Sequence, residues 1–376
     1  MDFPTHLLYA DDILVFCKAS VRNAKKIKHI LEYYGRLSGQ VCSLEKSRVY
    51  FAKGVATPMK RGINRVLGFT QGSDHVTYLG APLFVGRPKA AQFMGIKDRI
   101  VQKFSRWAGL NLSMAGQLCL VKSVIQSSIV HTMMVFRWPK SLLHELDRKC
   151  RNFIWTGNTD QKPSCAVKWD RCCASLEEGG LGLRSFTLMN KSFLMKLAWN
   201  VIKGGDIASD VLRSRYLTPH GHARKNVANS SIWLGLKHEI TDLVSSSYSA
   251  IGDGRSTLFW TDNWLGYRLC DRMGILGFLW EALNHSVADY CFEGVWHFTE
   301  SFVQNFPDIV GDILLLQMQH NADTRLWQHS LRGNVTSALA FANISHRYPQ
   351  VSWGFVALGS CNPGAQIPDL LASNSW

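Results

Sequence analysis

Two short apolar, β-prone runs, Leu7-Leu8-Tyr9 and Ile13-Leu14-Val15-Phe16, flank Ala10-Asp11-Asp12 near the start of the chain. A polar pair between such runs predicts a hairpin with both carboxylates at its tip. Ile27, Ile30, Leu31, Tyr34 and Leu37 then recur at helical spacing; Lys25, Lys26 and Lys28 lie off that face, and Ser38-Gly39 supplies a stop. Val49-Tyr50-Phe51 reads as a short strand. His75 to Leu83 reads as another, ending in a turn at Gly80 and Pro82. Up to this point the pattern predicts an α+β unit, its strands and helix packed into one small core.

From about Gln92 the apolar positions take a helical period. Phe93, Ile96, Ile100, Phe104 and Trp107 mark one helix, and Ser113 caps a second that carries Leu118, Val121, Val124 and Ile125. Pro139 opens a third, with Leu142, Leu143, Leu146, Cys150, Phe153 and Ile154 on one stripe and Arg148, Lys149 and Arg151 on the polar side. Residues 90–156 therefore read as a basic helical bundle. Thr156 to Ser164 reads as a polar linker. Trp169, the Gly179-Gly180-Leu181-Gly182 turn, a helix from Leu188 to about Ile202 and a Gly252-Asp253-Gly254 turn before Phe259-Trp260 mark a further unit. The last hundred residues are apolar but poorly patterned, and no element is expected there.

Charge sharpens this division. Residues 1–150 hold 23 of the 42 basic and 9 of the 28 acidic side chains, so the whole excess of +14 lies there and the remainder is balanced. Such confinement points to a phosphate-backbone partner more than to a membrane. An apolar content of 46% suits a globular chain, and no apolar run is long enough to cross a bilayer. The ten cysteines, at 17, 42, 119, 150, 165, 172, 173, 270, 291 and 361, include no C-x-x-C pair, and there is no secretory signal pattern. Reduced thiols in an intracellular protein are the expectation.

Adjacent carboxylates repel unless a cation lies between them, so the Asp11-Asp12 tip is a candidate Mg²⁺ site. Several separated blocks then resemble, in order, the C-terminal half of the reverse transcriptase of plant-type non-LTR (long interspersed) retrotransposons. His6-Leu7-Leu8-Tyr9-Ala10-Asp11-Asp12 resembles polymerase motif C. Ser38-Gly39 with Lys46-Ser47 resembles motif D, and Tyr78-Leu79-Gly80-Ala81-Pro82-Leu83 the primer-grip turn. Trp107, Leu112-Ser113-Met114-Ala115-Gly116 and Phe153-Ile154-Trp155 resemble the thumb. Trp169 with Gly179 to Arg184, and Ile251-Gly252-Asp253-Gly254 with Trp260 and Trp264, resemble the segment downstream of it. The likeness covers about residues 5–265; beyond it Asp323, Trp327 and Gly333 bear only a faint likeness to the family's C-terminal region.

The resemblance implies a partial palm over 1–89, a helical thumb over 90–156, a post-thumb region over 165–265 and an undefined region over 266–376. It implies two-Mg²⁺ nucleotidyl transfer in the intact family, with Asp11 and Asp12 as metal ligands, Asp11 the more direct. Lys46 would be the lysine that protonates the departing pyrophosphate, although Ser43 stands where the family has asparagine. Tyr78, Leu79 and Gly80 would hold the primer, and Lys97, Arg99, Lys103, Arg106 and Lys122 would face an RNA template–DNA primer duplex. Taken by itself each of these residues also has a plainer reading, as a turn, a packed strand end or a solvated cation. Motif A, which supplies a further catalytic aspartate, has no counterpart in the ten residues before Asp11. The expectation is that the chain alone does not polymerise, and that the hairpin carries an unpaired apolar edge. The alternative is a non-catalytic, nucleic-acid-binding retroelement remnant.

Overall fold

The computed structural model describes residues 5–350, apart from 53, 73–75, 85, 165–166, 225–226, 228–229 and 293. Its fold is α+β, with helices and small separate two-stranded sheets. Packing divides the chain into two units, Met1–Phe84 and Val85–Trp376.

In the first unit β1 (His6–Tyr9) pairs antiparallel with β2 (Asp12–Val15), Tyr9 opposite Asp12, so Ala10 and Asp11 form a two-residue turn. Ala10 adopts φ +50°, where an L side chain is strained. Helix α1 (Val21–Ser38) starts where the Ser20 hydroxyl accepts from Asn23 N at 3.1 Å and ends at Gly39, with φ +73°. Strand β3 (Arg48–Val49) pairs in parallel with β4 (Thr70–Gln71) across α2 (Thr57–Leu67). β5 (Val76–Tyr78) and β6 (Ala81–Leu83) form a second tight hairpin.

Three readings change here. Residues 76–83 form two strands reversing at Leu79-Gly80 rather than one strand, and His75 lies outside the described residues. Helix α2 was not expected, although Met59, Ile63, Val66 and Leu67 recur at helical spacing between Pro58 and the Gly68 stop. A small core is built from Ala24, Ile63 and Leu67 with Val21, Ile27, Val49 and Phe51, and among the described residues the β1–β2 hairpin takes no part in it. Only the first half of α1 packs on that core; Ile30 and Leu37 are 62% and 71% exposed.

The second unit opens with α3 (Ala90–Trp107), whose Phe93, Ile96, Ile100 and Phe104 are buried as the spacing predicts. Ser113 caps α4 (Met114–Leu120), its hydroxyl accepting from Gly116 N at 3.3 Å. A π-helical turn, Val121–Ile125, carries the chain into α5 (Gln126–Ser128) and α6 (Val130–Met133). Helix α7 (Lys140–Thr156) starts after Pro139 and ends at Gly157, with φ +71°. Aromatic contacts tie these helices together: Phe93 lies 4.5 Å from Trp138, and Phe104 5.2 Å from Phe153.

Short α8 (Trp169–Cys172) leads to α9 (Phe186–Lys203), then α10 (Ile207–Tyr216), α11 (Trp233–Ser245), β7 (Ser247–Ala250) and α12 (Leu269–Arg272). After these come the hairpin β8 (Cys291–Phe292) and β9 (Val295–Trp296), then α13 (Glu300–Asn305), α14 (Pro307–Leu314), β10 (Thr324–Trp327) and α15 (Ser337–Ile344). Residues 266–350 thus carry elements where none was expected. Trp199 of α9, Trp233 and Leu236 of α11, Trp327 of β10 and Ala340 of α15 share one core, and β7 pairs antiparallel with β10. A second core joins Phe259, Trp264, Leu269, Val287, Ile309 and Ile313. Packing does not break at 156–165, since α7 packs on α9, nor at 265–266, where Phe259 and Trp264 share a core with Leu269. Among the described residues no helix is long and apolar enough to cross a membrane, and the eight described cysteines are free thiols.

Candidate functional site

The hairpin register sets Asp11 in the turn and Asp12 at the first position of β2, both exposed. Among the described residues no group of three or more His, Cys, Asp or Glu side chains is placed to hold a metal. Two adjacent carboxylates suit one hydrated Mg²⁺, which takes one or two carboxylates and completes its octahedron with water and phosphate oxygens. They do not form an all-protein cage.

Lys46 is exposed in a turn after α1, and its backbone N–H reaches the Ser43 hydroxyl at 3.4 Å. Ser43 therefore still supplies a turn-forming oxygen at the position where the resemblance has asparagine. Tyr78 and Gly80 flank Leu79, which adopts φ +49° and is 47% exposed. Backbone ladders do not join the three segments: β1–β2, β3–β4 and β5–β6 are separate sheets.

On α3 the cations sort into two sets. Arg99, Lys103 and Arg106 are spaced by four and three residues, so they share one face of a helix with about 3.6 residues per turn. Arg99 and Arg106 are exposed, and none of the three has an ion pair among the described residues. Lys97 faces the other way, 13% exposed, with Glu145 of α7 at 3.5 Å and Asp98 at 3.8 Å. Lys122 lies in the π-helical turn against Gly182, and burial lowers its pKa despite the opposing effect of Cys119. Its neighbour is the Gly179–Gly182 turn, itself held by Gly180 N to Ser175 O at 2.8 Å and Gly182 N to Ala174 O at 2.9 Å. The structure thus groups three of the five candidate thumb cations and takes Lys97 and Lys122 into packed surroundings.

Sequence reasoning missed two buried carboxylates, Asp147 and Asp262, and singled out a third, Asp323, without giving it a role. Asp147 of α7 accepts from the Phe186 amide at 3.1 Å and the Ser185 hydroxyl at 3.0 Å, capping α9 from another helix; burial pushes its pKa up to about 6. Asp262, 3% exposed, accepts from His222 Nε2 and Arg325 Nη2, each at 3.1 Å. Burial acts to raise its pKa, but the His222 hydrogen bond and the Arg325 charge outweigh that and hold it low. Asp323 accepts from the amides of Gly252 and Gly254, both at 2.8 Å, and from Ser256 N and the Ser256 and Thr257 hydroxyls. The Gly-Asp-Gly turn was legible; the carboxylate that organises it lies 71 residues from Gly252.

Two plant proteins are similar to this chain. A putative ribonuclease H protein of Arabidopsis thaliana is 32% identical over 196 residues, which are 49% of this chain and 31% of that protein. The chain therefore spans about a third of that relative's length. An uncharacterized mitochondrial protein of the same plant is 30% identical over 141 residues, 36% of this chain and 91% of its own length. The chain belongs to the family of that mitochondrial protein. No family model matches it.

Proposed function

We propose that this protein is a plant retroelement-derived, nucleic-acid-binding protein whose first 156 residues descend from the palm and thumb of a reverse transcriptase. The observation that carries the reading is the face of α3 formed by Arg99, Lys103 and Arg106, without carboxylate partners among the described residues and lying in the half of the chain that holds the whole basic excess. Cations without carboxylate partners on one helix face can neutralise neighbouring phosphates of a nucleic-acid backbone. The ordered motifs and a relative named as a putative ribonuclease H protein support a nucleic-acid substrate.

Asp11, with Asp12 beside it, would hold Mg²⁺, whose chemistry is to activate the primer 3′-hydroxyl and to carry the incoming triphosphate. Tyr78, Leu79 and Gly80 would steady the primer end, and Lys46 Nζ would hold the proton for the departing pyrophosphate. Two-metal transfer needs a further shared carboxylate, and among the described residues none joins Asp11 and Asp12. The reading for this chain by itself is binding without catalysis.

Fluorescence anisotropy with a labelled RNA–DNA duplex tests the reading. Log affinity should fall linearly with log salt, and Arg99→Gln/Arg106→Gln should flatten that slope by about 2, roughly 0.9 for each phosphate no longer neutralised. Salt-independent affinity, or a double variant that binds like the parent, refutes it.

A further inference from the structure

Between the C-terminal end of α9, helix α10 and the β7–β10 ladder lies a cavity of about 170 Å³. Lys203, Arg213 and Arg325 line it, with His220 and Ser249 beside them, and the carboxylate on its wall is Asp323. Asp323 is already committed to five donors of the 252–257 turn, so it has little left to offer the cations. Lys203 Nζ donates to Asn334 Oδ1 at 2.7 Å, and Arg213 donates to the Ile202 carbonyl; both acceptors are neutral. Neither cation has an ion pair among the described residues. Arg325 spends Nη2 on Asp262, a carboxylate it shares with His222. Its Nη1 is buried without a hydrogen-bond partner among the described residues.

A small polar cavity with a surplus of positive charge and an unused buried donor is complementary to an anion. Its volume is below the roughly 300 Å³ at which pockets begin to take drug-sized ligands, so a whole nucleoside does not fit inside. Donors that converge from α9, α10 and β10 suit a tetrahedral oxyanion, which presents acceptors in several directions at once. We propose that this cavity binds a phosphate group, supplied by the phosphodiester backbone of a nucleic acid or as free phosphate. The proposal does not depend on the α3 surface.

Isothermal titration of the full chain with inorganic phosphate, at constant ionic strength in chloride, tests it. Saturable binding is expected, weakened about tenfold or more by Lys203→Met and by Arg213→Gln, because each removes a charged donor. Arg99→Gln/Arg106→Gln should leave phosphate binding unchanged, which separates this site from the duplex surface. Lys203 is exposed, so its variant should keep the parent's circular dichroism and decides the matter even if Arg213→Gln fails to fold. Absence of saturable phosphate binding, or equal affinity in parent and Lys203→Met, overturns the proposal. The source follows from adding Lys203→Met to the Arg99→Gln/Arg106→Gln background and measuring a single-stranded RNA oligonucleotide. Weaker binding there, with competition by phosphate, assigns the cavity to the backbone; a loss confined to inorganic phosphate assigns it to the free ion.

Discussion

Replacing Asp323 by alanine strips the 252–257 turn of the carboxylate around which it is wound. Gly252 and Gly254 are buried, and each amide donates to Oδ1 at 2.8 Å. The turn is closely packed on its other side, where a Cβ on Gly252 would lie 2.0 Å from the Asn321 carbonyl oxygen. Two buried N–H groups without acceptors cost about 1–3 kcal/mol each, so roughly 2–6 kcal/mol together. Ser256 is exposed, and water replaces its two bonds at little cost. Asp323→Asn keeps one oxygen for the two glycine amides, and the Ser256 and Thr257 hydroxyls can reverse to accept from its NH₂. Only the Ser256 amide then meets a donor, and a loss of about 1–2 kcal/mol is expected. Denaturant titration at pH 7, with hydrogen exchange read across residues 250–258, measures both. Acid supplies a further check. Burial acts to raise this carboxyl, but the glycine amides and the two hydroxyls hold it below its usual range. Its contribution is therefore present above about pH 4 and fades as pH falls through the lower folded value, so parent and alanine variant should converge in acid. An alanine variant within about 0.5 kcal/mol of the parent, with unchanged exchange, would refute the reasoning.

Asp147 carries the opposite sign: with its pKa raised to about 6, its contribution is full below about pH 4 and is lost as pH rises through 6. Stability should decline over that window by at most about 3 kcal/mol from this group, and Asp147→Asn should flatten the decline in pH-dependent denaturation curves. Ala10→Gly relieves an L residue at φ +50° and should strengthen protection of the Leu7–Val15 amides by about 1 kcal/mol in hydrogen exchange; weaker protection would count against strain at the turn. Mg²⁺ titration followed by calorimetry should give weaker binding for Asp11→Ala than for the parent, and identical isotherms would remove the hairpin from consideration as a metal site.

Much of the first unit and of the α3–α7 helices was legible because their signals are local. Ser113 caps a helix at the third amide downstream, Gly39 ends one in left-handed geometry, and Phe93 to Phe104 bury a stripe that the spacing alone picks out. Helix α2 was equally legible, with Met59, Ile63, Val66 and Leu67 at helical spacing between Pro58 and Gly68, but it was overlooked; the hairpin at Leu79-Gly80 was missed because its strands are three residues each. Residues 266–350 were opaque for a related reason. Their elements are short, and their aromatic side chains pack by cross-chain contacts rather than along one helix face.

The sequence by itself determined the α+β class, the Asp11-Asp12 hairpin, the helix boundaries set by caps, and the confinement of positive charge to the first 150 residues. Each depends on neighbours within a few positions or on a sum over residues, and neither requires knowing how the chain returns on itself. Only the tertiary structure decided which charges stay free. It neutralised Lys97 with Glu145 and left Arg99 and Arg106 exposed. It brought Arg325 and His222 to Asp262, and it wound the 252–257 turn around Asp323. A charge acts through its partners and its exposure to solvent, and both are fixed by contacts between residues tens of positions apart.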